Sequence, residues 1–267
     1  MDIGNSIFSL NNLIVILTSG SGLIGTELLK ELPKYGAQVI VGSRDTKKLD
    51  KKIEDIEYPE NIIEPVSFFL DISNNNSVEH FFKKIKDSFP RIDGLINNAW
   101  PKTNDWLDKF EDVAAKSLYK NLCDHAGGYF LCSQKVAPIM KKQKSGVILN
   151  IGSIYGEIGP HFSIYEGTNM TCPGAYPMIK GGIHTFTKYL ATYLAPHQIR
   201  VNCLSPGGIY NKEQQNPDFI KNYISETPLG RMGNPDDVIG PVIFFLSEAS
   251  KYVTGEILFI DGGWTCW

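Results

Sequence analysis

Short apolar segments recur along the chain and alternate with segments that have helical periodicity. Leu13–Leu17 is continuously apolar and partly β-branched, which is typical of a strand buried on both faces of a parallel sheet. The other predicted strands are 38–42, 66–71, 94–97, 146–151, 200–204 and 257–260. Alternation of such strands with helices predicts an α/β fold built on a parallel sheet.

The helical segments are marked by apolar stripes and by start signals. Residues 23–32 and 77–89 each carry one apolar stripe, and a long helix is predicted over 176–195. Another helix is predicted to begin at Asn234, which is followed by a proline and two acidic residues. Residues 49–64 are polar and predict a helix end and a loop.

The sequence immediately after the first strand is Thr18-Ser-Gly-Ser-Gly-Leu-Ile-Gly25, and a helical pattern follows it. Small residues let the backbone approach phosphate groups, and a helix N-terminus presents free N–H groups and a positive dipole. The segment therefore predicts a pyrophosphate site. The alternative is an ordinary tight turn between strand and helix.

The end of the second strand bears on the choice of cofactor. An acid there would bind both ribose hydroxyls and repel a 2′-phosphate, but the chain has Ser43 and Arg44, with Asp45 one place later. A guanidinium can bind a 2′-phosphate with paired hydrogen bonds, so NADP(H) is predicted over NAD(H). The alternative is a solvated basic turn, to which Lys47 and Lys48 also contribute.

Candidate chemistry also occurs in the second half. Tyr176 and Lys180 are four residues apart on a predicted helix and therefore project from one face. A cation beside a phenol favours the phenolate and lowers the tyrosine pKa. Ser153 follows the fifth strand, at the strand ends where parallel sheets place their sites. By itself the Tyr–Lys spacing is equally compatible with packing and a solvated lysine.

Composition and charge narrow the class of protein. The chain has 267 residues, of which 42% are hydrophobic and 21% charged, which suits one large domain or two small ones. A net charge of −3 offers no basic surface for nucleic acid or an anionic membrane. The five cysteines include no C-x-x-C pair, so we expect free thiols in a reducing compartment, without a zinc site. Asp2 and the short first apolar run argue against a signal peptide or membrane anchor, so we expect a cytoplasmic protein.

The order of these motifs resembles the short-chain dehydrogenase/reductase family in its single-domain branch. The resemblance rests on the glycine loop, the Asp71 strand end, Asn97-Asn-Ala99, Ser153, Tyr176-x-x-x-Lys180, Pro206-Gly207 and the C-terminal Thr254-Gly255 and Asp261-Gly-Gly263. It implies one NAD(P)-binding domain, 1–267, with a doubly wound, Rossmann-like parallel sheet. Among relatives, those of flagellin or surface-glycan sugar biosynthesis are similar in the segments around Trp100-Pro101, 163–167 and 206–208.

The resemblance implies the following roles. Tyr176 exchanges a proton with the substrate oxygen, Ser153 fixes that oxygen, and Lys180 lowers the tyrosine pKa and binds the nicotinamide ribose. Asp71 either accepts from the adenine amino group or caps its own turn. The implied cofactor-binding residues are Thr18, Ser19, Gly20, Ser21, Leu23, Ile24, Ser43, Arg44, Asp71, Ile72, Asn98, Ala99, Pro206, Gly207 and Ile209.

The chain departs from the family pattern in three segments. Ser19 and Leu23 stand where the family has glycines, so the phosphate loop could be shaped differently. Trp100 replaces a glycine at the mouth of the nicotinamide pocket, where its ring would narrow the site or stack on substrate. His125 replaces an asparagine that holds a water on a proton path. His125 is expected either to bind a water or relay a proton itself, or to be a buried, hydrogen-bonded histidine with no catalytic part.

Residues 156–173 are longer than the family usually has between its serine and tyrosine, and long inserts tend to be functional. His161, Tyr165 and Glu166 in this insert suit a polyol or amino sugar better than an acyl chain. The alternative is a subunit contact or a surface loop. Residues 210–227 correspond to the family's mobile lid, and the family implies a homodimer or homotetramer formed through the two late helices and the last strand.

The sequence therefore predicts an NADP(H)-preferring oxidoreductase acting on a carbonyl/secondary alcohol pair of a small molecule, such as a sugar derivative. NAD(H) is the alternative cofactor, and no metal is required. Two competing functions are a 3-oxoacyl-carrier-protein reductase and a non-catalytic NADP-sensing or scaffold protein.

Overall fold

The computed structural model describes residues 6–267, so Asp2 lies outside the described part of the chain. The predicted doubly wound architecture is confirmed: seven parallel strands form one sheet in the order β3-β2-β1-β4-β5-β6-β7. The strands are β1 (Ile14–Thr18), β2 (Gln38–Ser43), β3 (Val66–Phe69), β4 (Gly94–Asn97), β5 (Gly146–Ile151), β6 (Ile199–Pro206) and β7 (Ile257–Ile260).

Eight α-helices connect and cover these strands within the described residues. They are α1 (Leu23–Glu31), α2 (Thr46–Glu54), α3 (Asn75–Ser88), α4 (Ala115–Asn121), α5 (Gly128–Gln143), α6 (Ala175–Leu194), α7 (Pro217–Ser225) and α8 (Ile239–Leu246). A π-helical segment, Leu122–Gly127, joins α4 to α5. None of the helices in residues 6–267 has the length and apolar character needed to cross a bilayer.

Two apolar cores lie on the two faces of the sheet. Phe81 of α3, Val136 of α5 and Ile183 of α6 belong to one core, and Leu28 of α1 and Val242 of α8 belong to the other. A third, smaller cluster joins the 156–173 insert to α7 and the C-terminal turn. The insert and the lid segment are therefore packed together above the sheet.

The predicted element boundaries shift in places, for identifiable reasons. The first strand extends to Thr18 and the sixth to Pro206, so both residues belong to the sheet rather than to the following loops. Helix α3 begins two residues before Ser77, because the Asn74 side chain accepts a hydrogen bond from the Ser77 N–H. The late helix begins as a 3₁₀ turn, Pro235–Val238, before α8.

Strand order creates a crevice that positions the site. From β1 the chain builds outward to β2 and β3, and then returns to place β4 on the other side of β1. The connections therefore diverge at the carboxyl ends of β1 and β4. In doubly wound sheets this reversal is where ligands bind.

Candidate active site

The Thr18 side chain connects the end of β1 to the segment that follows β4, at the crevice. The Thr18 hydroxyl donates to the Ile96 carbonyl (3.2 Å) and accepts from the N–H groups of Asn98 (2.8 Å) and Ala99 (3.1 Å). The Asn98 amide donates to the Ser19 carbonyl at 2.7 Å. Thr18 is fully buried, and its side chain fixes the backbone of residues 98–99.

The N-terminus of α1 opens onto the same crevice. Its cap, Gly22, makes no side-chain hydrogen bond, and its first turn carries no acidic residue. A Cβ at Gly25 would clash with the Ser19 carbonyl oxygen, so the loop lies directly against the helix. Ser21, Leu23 and Ile24 are at least partly exposed along this edge. These free N–H groups and the positive dipole fit a pyrophosphate.

Ser19, one of the residues that replace a family glycine, has a strained backbone conformation. Its φ is 68°, in the left-handed region that glycine adopts readily and other residues adopt with strain. The glycine that the family has at this position would therefore be less strained. The buried Gly20 follows and packs against Leu29 and Val41, so the loop keeps its close approach to the sheet.

The end of β2 presents a basic side chain to solvent. Ser43 is nearly buried and its hydroxyl bonds the backbone of Asp45, whose carboxylate accepts from the Lys48 N–H (2.9 Å) as the cap of α2. Arg44 is exposed and forms no ion pair within residues 6–267. The guanidinium is thus free for an anion, and the nearest acid is engaged by a helix.

Asp71 caps its own turn, one of the two roles considered for it. One carboxylate oxygen accepts from the N–H (3.0 Å) and the hydroxyl (2.7 Å) of Ser73, which leaves the other oxygen for a further donor. The adjacent Ile72 is buried. Lys120 of α4 lies near Arg44 and Asp71, and its pKa is raised by its ion pair with Asp124. The adenosine end of the crevice therefore has two basic side chains.

The predicted catalytic side chains converge at the end of β5. The Lys180 ammonium donates to the Ile151 carbonyl at 2.7 Å, two residues before Ser153. The same ammonium lies 5.6 Å from the centre of the Tyr176 ring. The Ser153 hydroxyl accepts from the Tyr155 N–H (3.2 Å) and lies beside Tyr176. Because Tyr176 is the second residue of α6, the prediction that it lies at the start of its helix is confirmed.

Burial is the largest influence on the pKa values of Tyr176 and Lys180. It raises the pKa of Tyr176 to about 12, and the neighbouring Ser153 hydroxyl opposes this rise. It also lowers the pKa of Lys180 to about 8. The lowering of the Tyr176 pKa expected from Lys180 is therefore not found, because desolvation of the phenolate is the largest effect and raises the pKa.

His125 lies within the π-helical segment and is fully buried. Neither ring nitrogen has a hydrogen-bond partner in the described part of the chain. Its ring packs edge to face on Tyr129 (5.2 Å between centroids). Burial, with a smaller contribution from the Lys180 charge, holds its pKa well below the usual value, so the imidazole is neutral.

Aromatic rings surround the Tyr176 side chain. Trp100 lies 5.5 Å away and is half exposed, Trp106 lies 6.0 Å away, and Tyr155 lies 6.3 Å away, all measured between ring centroids. Trp100 thus lies at the surface beside the predicted catalytic tyrosine. Trp106 and Tyr155 were not predicted: no motif marks Trp106, whereas Tyr155 is two residues from Ser153 and could have been considered.

The insert is docked on α7. The Glu226 carboxylate accepts from Ser163 (3.0 Å) and lies 2.7 Å from His161 Nδ1. The Tyr165 ring stacks on Phe219 (5.4 Å). Glu166 is exposed, and its carbonyl accepts from the Asn222 amide (3.3 Å). Of the predicted substrate residues, His161 and Glu166 therefore attach the insert to the lid, while Tyr165 borders the interior.

The segment after β6 is tied to the lid and the C-terminus. The Gly208 N–H donates to the Tyr223 hydroxyl (2.5 Å), and the Tyr223 ring stacks on the buried Trp264 (4.2 Å). The Gly207 N–H donates to the Ile260 carbonyl (3.1 Å), and Ile209 bridges to Gly233. Pro206, Gly207 and Ile209 thus form a fixed edge beside the predicted nicotinamide site, and Tyr223 is a residue that no sequence motif singled out.

The crevice as a whole fits a dinucleotide. Its features are an unblocked helix N-terminus, a basic adenosine end, a free carboxylate oxygen at Asp71 and a polar catalytic group at the opposite end. Residues 6–267 contain no cluster of three or more His, Cys, Asp or Glu residues arranged to bind a metal ion.

Comparison with known proteins agrees with this geometry. A sequence model of the family described as Enoyl-(Acyl carrier protein) reductase matches residues 20–265. The Post-translational flagellin modification protein A of Campylobacter coli is 32% identical over 96% of this chain and 99% of its own length.

Two solved structures have the same fold over nearly their whole length. A short-chain dehydrogenase from Leptospira borgpetersenii with bound NAD⁺ is 38% identical, with a TM-score of 0.84 over 99% of this chain and 97% of that one. A gluconate 5-dehydrogenase from Burkholderia cenocepacia in complex with NADP and tartrate is 26% identical, with a TM-score of 0.84 over 97% and 98%. The chain belongs to the short-chain dehydrogenase/reductase family and is an NAD(P)-dependent oxidoreductase acting on CH–OH groups.

Proposed function

We propose that this enzyme is an NADP(H)-preferring oxidoreductase that interconverts a carbonyl and a secondary alcohol on a sugar or amino-sugar derivative used for surface glycans. The observation that carries the proposal is the grouping of Ser153, Tyr176 and Lys180 at the end of β5, beside the switch-point crevice. A bound nicotinamide supplies or accepts the hydride at its C4 carbon.

The side chains of this chain handle the oxygen and its proton. Because burial keeps Tyr176 protonated at neutral pH, its phenol donates the proton that a reduced carbonyl oxygen requires. Ser153 donates a hydrogen bond to the same oxygen as charge develops on it. Lys180 holds the end of β5 through Ile151 and offers its remaining donors to a ribose. His125 is a buried, neutral imidazole near Lys180, and its two ring nitrogens, which have no partner in the described part of the chain, are available to bind a water on the buried side of the site.

The preference for NADP(H) rests on the adenosine end. Arg44 is exposed and free of ion pairs within residues 6–267, Lys120 lies near it, and the Asp45 carboxylate is occupied as a helix cap. A 2′-phosphate would gain a guanidinium partner there. The related structures contain NAD⁺ in one case and NADP in the other, so the proposal depends on these residues of this chain.

The substrate class is supported by the pocket and by two relatives. Half-exposed Trp100 offers a flat apolar face, the Ser153 hydroxyl and the Tyr155 ring lie beside Tyr176, and the Tyr165 hydroxyl lies near that of Tyr155. The names of the relatives refer to flagellin modification and to gluconate. A sugar ring combines an apolar face with hydroxyl groups and therefore fits this lining.

The description of the family model favours one alternative, a reductase of acyl groups on an acidic carrier protein. That function would require a basic surface near the lid. Residues 210–227 contain two lysines, Lys212 and Lys221, against three acidic residues. This lid would not attract an acidic carrier.

We also propose that the enzyme acts as a homo-oligomer in the cytoplasm, where its free cysteines stay reduced. In addition to the late helices and last strand expected from the family, α5 and α6 expose Phe130, Tyr189 and Tyr193 together. Phe186 stacks between them, so the patch is continuous. Sedimentation of the wild-type protein and of Tyr189→Asp tests this; a monomeric wild-type protein contradicts it.

The decisive screen compares oxidised sugars, nucleotide sugars with a keto group, and 3-oxoacyl thioesters as substrates for NADPH oxidation. We expect turnover with at least one sugar derivative and a lower kcat/KM for the thioesters. A clear preference for the thioesters would overturn the sugar assignment, and turnover of none of the carbonyl compounds would overturn the proposed function.

A further inference from the structure

The Tyr155 hydroxyl is buried beside the reaction centre and has no hydrogen-bond partner within residues 6–267. Burial raises its pKa strongly, so it remains a neutral donor and acceptor. A buried hydroxyl without a partner costs folding free energy, because it has lost its hydrogen bonds to water. Such groups call for an explanation, and a ligand is one.

Two other polar groups lie next to this hydroxyl, and both come from the insert. The Tyr165 hydroxyl is close to it, although the two do not form a regular hydrogen bond with each other. The Cys172 thiol is buried near both tyrosines, and burial raises its pKa to about 12, so it is an uncharged thiol. The three groups can therefore donate and accept without bringing charge into the pocket.

The position of this cluster relative to the reacting oxygen is fixed by the chain. Tyr155 is two residues beyond Ser153, and its N–H donates to the Ser153 hydroxyl at 3.2 Å. The rings of Tyr155 and Tyr176 meet edge to face with 6.3 Å between centroids. A substrate oxygen held between Ser153 and Tyr176 would therefore lie next to Tyr155, on the side of the site where Tyr155 packs against the insert.

We infer that Tyr155, Tyr165 and Cys172 form a subsite for a substrate hydroxyl group on the carbon next to the reacting carbon. The preferred substrates are then α-hydroxy ketones and vicinal diols, the arrangement found in sugars. The inference rests on the proposed oxidoreductase function and narrows it, because a plain ketone would leave the Tyr155 hydroxyl unpaired. A site built to bind a hydroxyl discriminates against the analogue that lacks one.

The matched probes are 2-hydroxycyclohexanone and cyclohexanone, which differ by one hydroxyl group. With NADPH and wild-type enzyme we expect kcat/KM to be at least about tenfold higher for the hydroxylated ketone. Tyr155→Phe should remove most of that difference by lowering kcat/KM for 2-hydroxycyclohexanone, with cyclohexanone changed less than about twofold. Tyr252→Phe, at a fully exposed tyrosine, is the control.

A binding measurement keeps the test independent of turnover. Calorimetric titration of the NADP⁺-loaded enzyme should show tighter binding of trans-1,2-cyclohexanediol than of cyclohexanol, and Tyr155→Phe should equalise them. Equal binding of the two alcohols by wild-type enzyme, including no binding of either, overturns the subsite, as does a Tyr155→Phe loss shared equally by both ketones. Selective diol binding with no NADPH oxidation by any carbonyl compound would instead overturn the proposed function and leave the subsite standing.

Discussion

The Lys180 ammonium donates a 2.7 Å hydrogen bond to the carbonyl of Ile151, the last residue of β5. This bond joins α6 to the strand that delivers Ser153, so the helix bearing Tyr176 and the strand end bearing Ser153 keep a fixed relationship. The Tyr–Lys spacing on one helix face explains why a single bond can position both residues. Lys180 therefore has a structural role in addition to its predicted contact with the cofactor.

The first prediction concerns Lys180 and pH. The folded-state pKa is about 8 against an ordinary value of 10.5, so the unfolded chain binds more protons between these values and stability rises with pH there. Burying the ammonium therefore costs stability below about pH 8. Lys180→Met should raise the free energy of unfolding near pH 7 by up to the order of 3 kcal/mol, less the lost Ile151 bond.

This gain should shrink as the pH rises from about 8 towards 10.5, since the wild-type lysine then folds uncharged. Urea unfolding across this pH range measures the effect. Lys188→Met, on the exposed face of the same helix, is the control and should show little pH dependence. A Lys180→Met effect that does not change with pH would contradict the assignment of the cost to the buried charge.

The second prediction concerns cofactor choice. Arg44→Ala should weaken NADPH binding by about tenfold or more, because a charge-assisted contact to the 2′-phosphate is lost, and should leave NADH binding nearly unchanged. Fluorescence titration of the reduced cofactors measures both affinities. Lys47→Ala, three residues later and also exposed, is the control. Equal affinities in the wild-type enzyme, or a preference for NADH, would refute the argument from Arg44.

The third prediction concerns the strained loop residue. Ser19 has φ of 68°, so Ser19→Gly should stabilise the protein by about 1 kcal/mol by removing left-handed strain. Thermal unfolding of the ligand-free protein measures the change. Ser21→Gly, in the same loop but without a positive φ, should be neutral or destabilising. If the two variants lose stability equally, backbone strain at Ser19 is not the cause.

The fourth prediction concerns Trp100. Removing its ring in Trp100→Ala should change the ratio of kcat/KM between two substrates by about tenfold, because the ring lies 5.5 Å from Tyr176 at the pocket mouth. NADPH affinity should change by less than about twofold. Trp267→Ala, at an exposed terminal tryptophan, is the control. A larger effect on NADPH affinity than on substrate preference would contradict a position of Trp100 on the substrate side of the site.

Local patterns in the sequence were sufficient for the framework of the fold. Continuous apolar runs predicted the seven parallel strands, and Tyr176 and Lys180 were placed correctly because their spacing lies within a single helix. Boundaries were less accurate where pairing with another strand decides them. Thr18 and Pro206 read as loop residues, yet hydrogen bonding to the neighbouring strand keeps each in the sheet.

Contacts between distant segments could not be predicted in this way. Trp106 approaches Tyr176 from a loop that carries no motif, and Lys120 of α4 lies near Arg44 and Asp71, which are distant from it in the sequence. His161 was expected to face the substrate, but the structure pairs it with Glu226, 65 residues away. The burial of a side chain also depends on the tertiary structure and could not be predicted from the sequence. Burial raises the pKa of Tyr176, although Lys180 is its neighbour.

The most direct test of the proposed chemistry is NADPH oxidation by Tyr176→Phe with the best carbonyl substrate of the screen. The variant retains the ring and its packing but has no proton to donate. We predict a fall in kcat of about 10²- to 10⁴-fold, with NADPH affinity within about twofold of the wild-type value and Tyr252→Phe fully active. Substantial residual turnover by Tyr176→Phe would contradict the assignment of this tyrosine as the proton donor.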